Sequence, residues 1–318
     1  MMTRLRVILL LSLATLCTPA FGANLAGPGT INYVEGGAKL AGERLTPQSV
    51  GNATLETGQE LTTGEGRAEM LLTPGVFLRL DDNSAVRMVS PSLTHTAVDL
   101  ERGRAMVEVD DIRPQNDIQI VDRGIPTEVL KPGLYEWNAN DGEAMEFSGR
   151  EAVNTGENHW TVVKAHHELA LTPGEIGKPK RFNVKANEDD LYNWSSLRSG
   201  YLAEANSQIA GVYPYAAGFA PGWFWDPYVY GYTFFGPGPF FSPFGWGFYP
   251  PWFYGGFYGG RWYGRGFYGR PGVGGRPLPH GEARGGEGFR GGGGGGGEGF
   301  HDGGGFRGGG GFGGGGHR

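Results

Sequence analysis

Few residues of this sequence have the types and spacing that chemistry requires. The adjacent histidines His166 and His167 resemble metal ligands most, yet neighbours on a strand point to opposite faces, so both reach one ion only where the strand breaks. Asp81, Asp82 and Asn83 bring oxygen ligands together, but a calcium loop needs more ligands at a wider spacing. We interpret the first group as polar surface and the second as a hairpin turn, and we predict no metal site.

Recognisable catalytic motifs are absent from the sequence. It contains no nucleophile elbow, Walker loop, HExxH or CxxC pattern. The single cysteine, Cys17, precedes the expected mature start near Ala23, which excludes disulfides and a cysteine nucleophile from the mature chain. The enzyme alternative is a carbohydrate-active β-fold, but no pattern pairs two acids as a glycosidase requires. We therefore expect no enzyme, no catalytic residue and no cofactor.

Aromatic residues form the other candidate site. Residues 213–268 consist mainly of Tyr, Phe, Trp, Gly and Pro, with neither the aliphatic residues nor the periodicity of an ordinary core. The rings of such a segment can bind other molecules, because aromatic and arginine–aromatic contacts stabilise a complex beyond the burial of apolar area. We predict an interaction surface at Trp223, Trp225, Tyr228, Trp246, Trp252 and Trp262.

The two ends of the chain indicate where it works. Residues 1–22 have the basic start, short apolar run and small-residue exit of a cleavable signal peptide, and the run is too short for a permanent membrane span. The net charge of -6 falls to -8 when Arg4 and Arg6 leave with this leader. We predict a periplasmic or secreted protein with no stable membrane span after leader removal.

Glycine dominates residues 272–318, which we predict to be disordered. The Arg-Gly-Gly steps there would suggest RNA binding in a cytosolic protein. Export and an acidic net charge argue against nucleic acid. We expect instead a tail that is either adhesive, through self-association or contact with the envelope, or merely solvated.

Short alternations of apolar and polar residues between Leu55 and Val109 define the elements that must position any site. Alternation puts one set of side chains on a buried sheet face and the other set in water, and Gly, Pro, Asn and Asp turns separate the strands. The inward set is Ala68, Met70, Leu72, Val76, Leu78, Leu80, Val86, Met88, Val98, Leu100, Ala105, Val107 and Val109. The charges expected to form exposed cross-strand ion pairs are Arg67, Glu69, Arg79, Arg87, Glu101 and Arg104.

The predicted fold class is all-β, a meander or roll of short antiparallel strands with a solenoid-like or jelly-roll-like form, followed by one amphipathic helix and a disordered aromatic, glycine-rich tail. We expect the helix to be interrupted or kinked near Ser199 and Gly200. The predicted segments are a signal peptide at 1–22, N-terminal strands and a connection at 23–53, a β domain at 54–185, the helix at 187–210, an aromatic Gly/Pro-rich segment at 211–271 and the tail at 272–318.

The β domain resembles the FecR domain of bacterial extracytoplasmic proteins over about residues 50–175. The residues that carry the resemblance are Gly58, Leu61, Thr63, Gly64, Gly66, Arg67, Ala68, Gly75, Leu78, Arg79, Leu80, Ser84 and Gly103. The resemblance implies a periplasmic sensor, since FecR-type proteins relay the state of an outer-membrane iron–siderophore receptor to a sigma factor. A cleavable leader here replaces their cytoplasmic anti-sigma segment and spanning helix, so a membrane partner would have to carry the signal.

The sequence therefore leaves two candidate functions. The first is a non-catalytic envelope module that binds a protein or polysaccharide and carries a multivalent sticky tail. The alternative is a FecR-type regulator in iron-responsive sigma-factor signalling. Retention of residues 4–22 on the mature protein would favour the regulator, and their removal the free module.

Overall fold

The computed structural model describes residues 26–156, 159–212 and 220–255. They form one large sheet, one long helix and two small hairpins, so the prediction of an all-β fold with one helix is confirmed. The strands of the large sheet are β1 (Ile31–Leu40), β2 (Glu43–Arg44), β3 (Glu60–Thr73), β4 (Val76–Leu80), β5 (Ala85–Ser92), β6 (His95–Arg102), β7 (Arg104–Val109), β8 (Ile118–Asp122), β9 (Ile125–Val129), β10 (Gly133–Asn138), β11 (Glu143–Ser148), β12 (Arg150–Gly156), β13 (His159–Lys164), β14 (His167–Ala170) and β15 (Lys180–Arg181).

These strands follow the order β13-β12-β9-β8-β6-β5-β3-β4-β7-β10-β11-β14-β15, with β1 and β2 attached through β3. Neighbouring strands in this described sheet run antiparallel, except β6 and β8, which run parallel. The chain leaves β6 through β7 and the loop 110–117, and it then returns beside β6 in the same direction. The sheet is therefore mixed, where the sequence predicts antiparallel strands throughout.

One face of the sheet encloses the main hydrophobic core. Met70, Leu78 and Val107, all predicted to face inward, have no exposed surface there. The same core receives Val163 from one end of the sheet and Leu169 from near the other end. The sheet therefore curls around a shared core, as expected of a β roll.

The opposite face is covered by a helix, α1 (Asp190–Val212), and by an aromatic layer, which we define as residues 220–255. Leu71 and Phe77 of the sheet are buried against Leu202 of α1 and against Phe234 and Phe248 of the layer. A neighbouring cluster joins Met106, Leu134, Met145 and Phe147 of the sheet to Leu191 and Trp194 of α1. The expectation of a wet outer face is therefore wrong over this area.

The aromatic layer contains β16 (Gly222–Asp226), β17 (Gly231–Phe235), β18 (Phe240–Phe241), β19 (Gly247–Phe248) and a one-turn helix α2 (Pro251–Gly255). The sequence predicts that this composition cannot build a core, but Phe234 and Phe235 are 1% and 0% exposed. Aromatic rings bury large areas and pack edge to face without aliphatic neighbours, as Phe224 does on Phe235 at a centroid distance of 4.9 Å.

Helix α1 runs without interruption, so the predicted interruption near Ser199 and Gly200 is wrong. Asp189 caps its first turn, because its Oδ1 accepts a hydrogen bond from the backbone N–H of Tyr192 at 3.1 Å. Gly200 serves packing instead: a Cβ at this position would lie 3.1 Å from the ring of Trp246. The absence of a side chain there lets the aromatic layer approach the helix closely.

Among the described helices, none has the length and apolar character needed to cross a bilayer. The predicted leader at 1–22, residues 213–219 and 256–271 of the predicted aromatic segment, and the predicted tail at 272–318 lie outside the described residues. The predictions made for those segments stay predictions.

Candidate functional site

The turn between β16 and β17 displays the most exposed large aromatic side chain of the described residues. Tyr228 is 86% exposed and Tyr230 is 45% exposed. Asp226 fixes the turn, since its buried carboxylate accepts a hydrogen bond from the backbone N–H of Tyr228 at 2.6 Å. Trp225 braces it from below, with its ring centroid 5.0 Å from that of Tyr230. The tip is therefore held in one conformation, and a group fixed in this way would lose little entropy on binding.

Other rings of the aromatic layer are exposed too. Phe241 is 71% exposed, Trp252 is 53% exposed and Trp246 is 41% exposed. The indole N–H of Trp246 donates to the backbone carbonyl of Ser196 in α1 at 2.9 Å, which orients the ring. We call the exposed rings of Tyr228, Tyr230, Phe241, Trp246 and Trp252 the aromatic surface.

Three of the six residues predicted for interaction thus belong to the aromatic surface. Of the other three, Trp223 and Trp225 are partly buried against the core beneath the layer, and Trp262 lies outside the described residues. The sequence prediction missed Tyr230 and Phe241. No local signal separates outward from inward rings here, because almost every position of this segment is aromatic, Gly or Pro.

Beneath α1 lies an ionic network that the sequence did not reveal. Arg79 donates from Nε to Glu69 Oε2 at 2.8 Å, and its Nη1 lies 2.6 Å from Glu108 Oε2. From α1, Arg198 donates to Glu69 Oε1 at 2.9 Å and Ser199 donates to Glu108 Oε1 at 2.6 Å. Arg79, Glu69 and Glu108 are at most 1% exposed. The network therefore attaches the helix to the sheet through buried charges.

The carboxyl groups at the two ends of this network have pKa shifts of opposite sign. Burial by itself would raise the pKa of Glu69, but the guanidinium groups of Arg198 and Arg79 outweigh it and hold that pKa at about 2. Asp110 follows Glu108 on the same side of the chain, and burial together with Glu108 raises its pKa well above the ordinary range. The carboxyl groups of Asp110 and Glu108 share a hydrogen bond when Asp110 is protonated, and no N–H or hydroxyl group of the described residues donates to Asp110.

The prediction of exposed ion pairs is wrong for Glu69 and Arg79, because α1 and the aromatic layer cover their strands. It holds for Arg87 and Glu101, whose side chains are 40% and 29% exposed and lie 2.6 Å apart. Arg104, also predicted to be exposed, is partly buried and pairs with Glu136 at 2.7 Å. The solvent exposure of a side chain on the outer face of the sheet thus depends on whether α1 or the aromatic layer covers it.

Arg67 and Arg104 connect the sheet to the start of α1. Arg67 donates from Nε to Asp81 at 2.9 Å and places its guanidinium 5.7 Å from the ring centroid of Trp194 in α1. Arg104 also pairs with Asp189, the cap of the helix. Both arginines therefore help to position the helix and, through it, the aromatic layer.

Two further carboxyl groups meet inside the roll. Glu146 and Glu151 are 0% and 1% exposed, and neither is ion-paired with a cation of the described residues. Burial raises the pKa of Glu151 to about 7 although the hydrogen bond from Glu146 lowers it, and burial together with Glu151 raises the pKa of Glu146 further, so the pair holds a proton between its carboxyl groups near neutrality. Acids of a glycosidase must reach their substrate, and these two lie within the core. They do not supply the carboxylate pair of the enzyme alternative.

The candidate metal ligands lie in turns or at the end of a strand. His166 has a φ of +65° between β13 and β14, and the Nδ1 of His167 lies 3.0 Å from the carbonyl oxygen of Ala165. Residues 81–83 form a turn with a φ of +47° at Asn83. It is not the predicted hairpin turn, because β4 and β5 both pair with β3 rather than with each other. Across the described part of the chain, no group of three or more His, Cys, Asp or Glu is arranged to hold a metal ion.

A small cleft of about 160 Å³ opens where the aromatic layer meets the ends of β7, β10 and β11. It is lined by Val109, Asp110, Pro132, Gly133, Ser148, Phe241 and Pro243. Asp110 is the one ionisable residue in this lining, and Phe241 is the one aromatic residue. The cleft therefore joins the buried end of the ionic network to the aromatic surface.

No family model and no curated protein matches this chain. Two crystal structures of a candidate anti-sigma factor from Parabacteroides distasonis are similar in part, each with a TM-score of 0.33, at 16% and 15% sequence identity. Each match covers 40% of this chain and 61% of the other chain. The present chain thus spans about three fifths of the length of those proteins, and we argue function from the site itself.

Proposed function

We propose that this protein is a non-catalytic extracytoplasmic module of FecR type, which binds a protein or polysaccharide of the cell envelope through its aromatic surface. The observation that carries the proposal is Tyr228, which is 86% exposed on a turn held by the Asp226 carboxylate. Tyrosine and tryptophan are enriched among the residues that contribute most to binding at interfaces. A rigid aromatic ring supplies contact area at a low entropic cost.

The second support is the way in which the body holds this surface. Trp246 packs on Gly200 of α1, and α1 is tied to the sheet by buried charges and hydrogen bonds. The exposed rings are therefore mounted on one packed scaffold rather than on a free segment. Such mounting favours binding over catalysis, since the aromatic surface itself includes no nucleophile or acid–base pair.

The FecR resemblance supports the type of body. Several positions that carry it have structural roles here: a Cβ at Gly66 would lie 2.2 Å from the backbone oxygen of Glu35, and Gly103 has a φ of +77°. Arg79, another of these positions, is the centre of the ionic network. These residues act in folding, so they favour a FecR-like body without specifying its partner.

The test is retention of envelope components by the full mature chain. Immobilised wild type and the double variant Tyr228→Ala/Trp252→Ala are exposed to soluble envelope extract in one arm and to isolated polysaccharide in another. The matched control is Leu93→Ala/Val162→Ala, which removes side chains that are 52% and 44% exposed elsewhere on the surface. We expect at least tenfold less retention for the aromatic variant only. Equal retention by all three proteins would refute the aromatic surface as the binding site.

The proposal extends to the sticky tail beyond residue 255. Sedimentation and retention are compared for the full mature chain and for a chain that ends at residue 255. We expect the shorter chain to lose self-association and avidity while keeping its primary partner. Unchanged sedimentation and unchanged retention would refute the adhesive role of the tail.

The regulatory alternative remains a FecR-type role in iron-responsive sigma-factor signalling through a membrane partner. Its support is the sequence resemblance, carried among others by Leu78, Arg79 and Leu80. Deletion of the gene would then change transcription of iron-uptake genes, and mass spectrometry of the mature N-terminus would show residues 4–22 retained. A cleaved leader together with unchanged transcription would contradict this alternative.

A further inference from the structure

The ionic network beneath α1 carries an unbalanced negative group at one end. Its cations are Arg79 and Arg198, and its carboxyl groups are Glu69, Glu108 and Asp110. Both guanidinium groups are engaged by Glu69 or Glu108, and no cation of the described residues forms an ion pair with Asp110. A buried carboxyl group in this state needs either a proton or a cation from elsewhere.

Asp110 is also the network member that lines a cleft. Apart from the contact with the Glu108 carboxyl group, its two buried oxygens have no hydrogen-bond partner among the described residues, and the cleft that Asp110 lines measures about 160 Å³. The remaining lining is a valine, two prolines, a glycine, a serine and the ring of Phe241. A cavity of roughly 150 Å³ accommodates a benzene molecule, so this one has room for a four-carbon chain with a terminal charge.

We propose that this cleft binds the ammonium group of a lysine side chain from a partner protein, with Asp110 as the counter-ion and Phe241 as an aromatic wall. The inference rests on the proposed binding function and names the chemistry of one of its contacts. An aliphatic stem fits the proline and valine lining, and an ammonium group favours the face of an aromatic ring. Lysine suits a single carboxylate as a compact point charge, whereas the arginine fork is matched to two parallel acceptors.

The surrounding charges set the pH dependence of this contact. Asp110 is faced by Glu108 on β7, by Arg79 on β4 and by the neighbouring Asp111, while the aromatic layer contributes the uncharged Phe241 and Pro243 to the lining of the cleft. Burial and Glu108 favour the protonated form of Asp110 in the free protein. An arriving ammonium group favours the carboxylate, so binding releases a proton and strengthens as pH rises.

Long-range charge acts in the same direction. In residues 26–255 acidic side chains clearly outnumber basic ones, so the body attracts a cationic partner. This attraction weakens with salt, whereas the contact inside the cleft is screened much less. A lysine contact that survives moderate salt is therefore expected.

The test uses the full mature chain and the peptide acetyl-Gly-Lys-Gly-amide, with acetyl-Gly-norleucine-Gly-amide as the uncharged control and n-butylammonium as the free amine. Binding is followed by NMR shifts of the Gly133 and Ser148 amides. We expect the lysine peptide and butylammonium to bind the wild type, with at least tenfold weaker binding to Asp110→Asn and stronger binding at pH 8 than at pH 5. The matched control Asp111→Asn, which removes the adjacent charge, should bind as the wild type does.

Binding of the norleucine peptide, or equal binding of the lysine peptide by Asp110→Asn, would overturn the inference. Circular dichroism checks that the asparagine variant folds, and Phe241→Ala is the second variant, because it removes the wall without touching the network. If no amine binds while the Tyr228→Ala/Trp252→Ala variant still loses its partner, the lysine site is wrong and the proposed function stands. If amines bind and that variant keeps its partner, the proposed aromatic surface is wrong.

Discussion

Replacing Arg79 with methionine removes the cation that lies between two buried carboxylates. Methionine keeps most of the length of the side chain, so the change tests charge more than volume. Glu69 and Glu108 stay buried at 0% and 1% exposure and lose the partner that lies at 2.8 Å and 2.6 Å respectively. We expect the Arg79→Met variant to be strongly destabilised at neutral pH.

The magnitude follows from two routes. Removing one partner of a buried ion pair costs about 3–5 kcal/mol. Independently, a pKa of about 2 for Glu69 against an ordinary value of 4.5 corresponds to about 3 kcal/mol of net stabilisation, in which the contacts to Arg79 and Arg198 outweigh the desolvation of Glu69. Arg79 supplies part of that and all of the guanidinium contact to Glu108. A loss of about 3–5 kcal/mol in the free energy of unfolding is therefore expected at pH 7.

The sign of the pH dependence is also determined. The pKa of Glu69 is lowered in the folded state, so its contribution is present above about pH 4.5 and is lost as pH falls towards 2. Without Arg79 this contribution shrinks, and protonation of Glu69 relieves the variant earlier. The stability difference between the wild type and Arg79→Met should therefore be largest near pH 7 and smaller at pH 3.

Urea denaturation of the full mature chain, followed by tryptophan fluorescence at pH 7, 4 and 3, measures this difference. The matched control is Arg87→Met, which breaks an ion pair of 2.6 Å between side chains that are 40% and 29% exposed. Exposed pairs contribute little, so the control should stay close to the wild type. If Arg79→Met behaves like Arg87→Met, or if its loss is the same at pH 7 and pH 3, the reasoning is refuted.

Two further predictions concern the interior and the turns. Burial raises the folded pKa of Glu146 and Glu151, so their contribution to stability is fully present below about pH 4.5 and declines as pH rises. The free energy of unfolding of Glu146→Gln should therefore fall less between pH 5 and pH 8 than that of the wild type. An equal fall in urea titrations would contradict this. Gly103→Ala should lower the melting temperature much more than Gly124→Ala. Both glycines have a positive φ, but only at Gly103 would a Cβ lie 2.6 Å from the Cα of Ser84. Equal melting temperatures of the two variants would contradict the close approach.

The inward face of the sheet could be predicted because alternation is a local property of the backbone. Met70, Leu78 and Val107 each sit two residues from other apolar side chains, and that spacing alone places them on one face. The prediction failed for Glu69 and Arg79 on the other face. Their burial depends on α1, whose Arg198 is more than a hundred residues further along the chain.

The candidate site shows the same division. Aromatic composition indicated the segment that carries the aromatic surface, but it did not separate Tyr228, which points into solvent, from Trp225, which packs on Tyr230 and Tyr232. Glu146 and Glu151 are only five residues apart, yet nothing local shows that the corner between β11 and β12 turns both into the core. These arrangements depend on how elements meet.

The sequence by itself therefore determined most strands of the large sheet, their inward set and the presence of one long helix, since periodicity acts within a few residues. Only the tertiary structure decided which polar side chains are buried, which rings are exposed and that Asp110 lines a cleft. The physical reason is that burial is set by contacts between segments far apart in the chain. Such contacts leave no periodic trace in either segment.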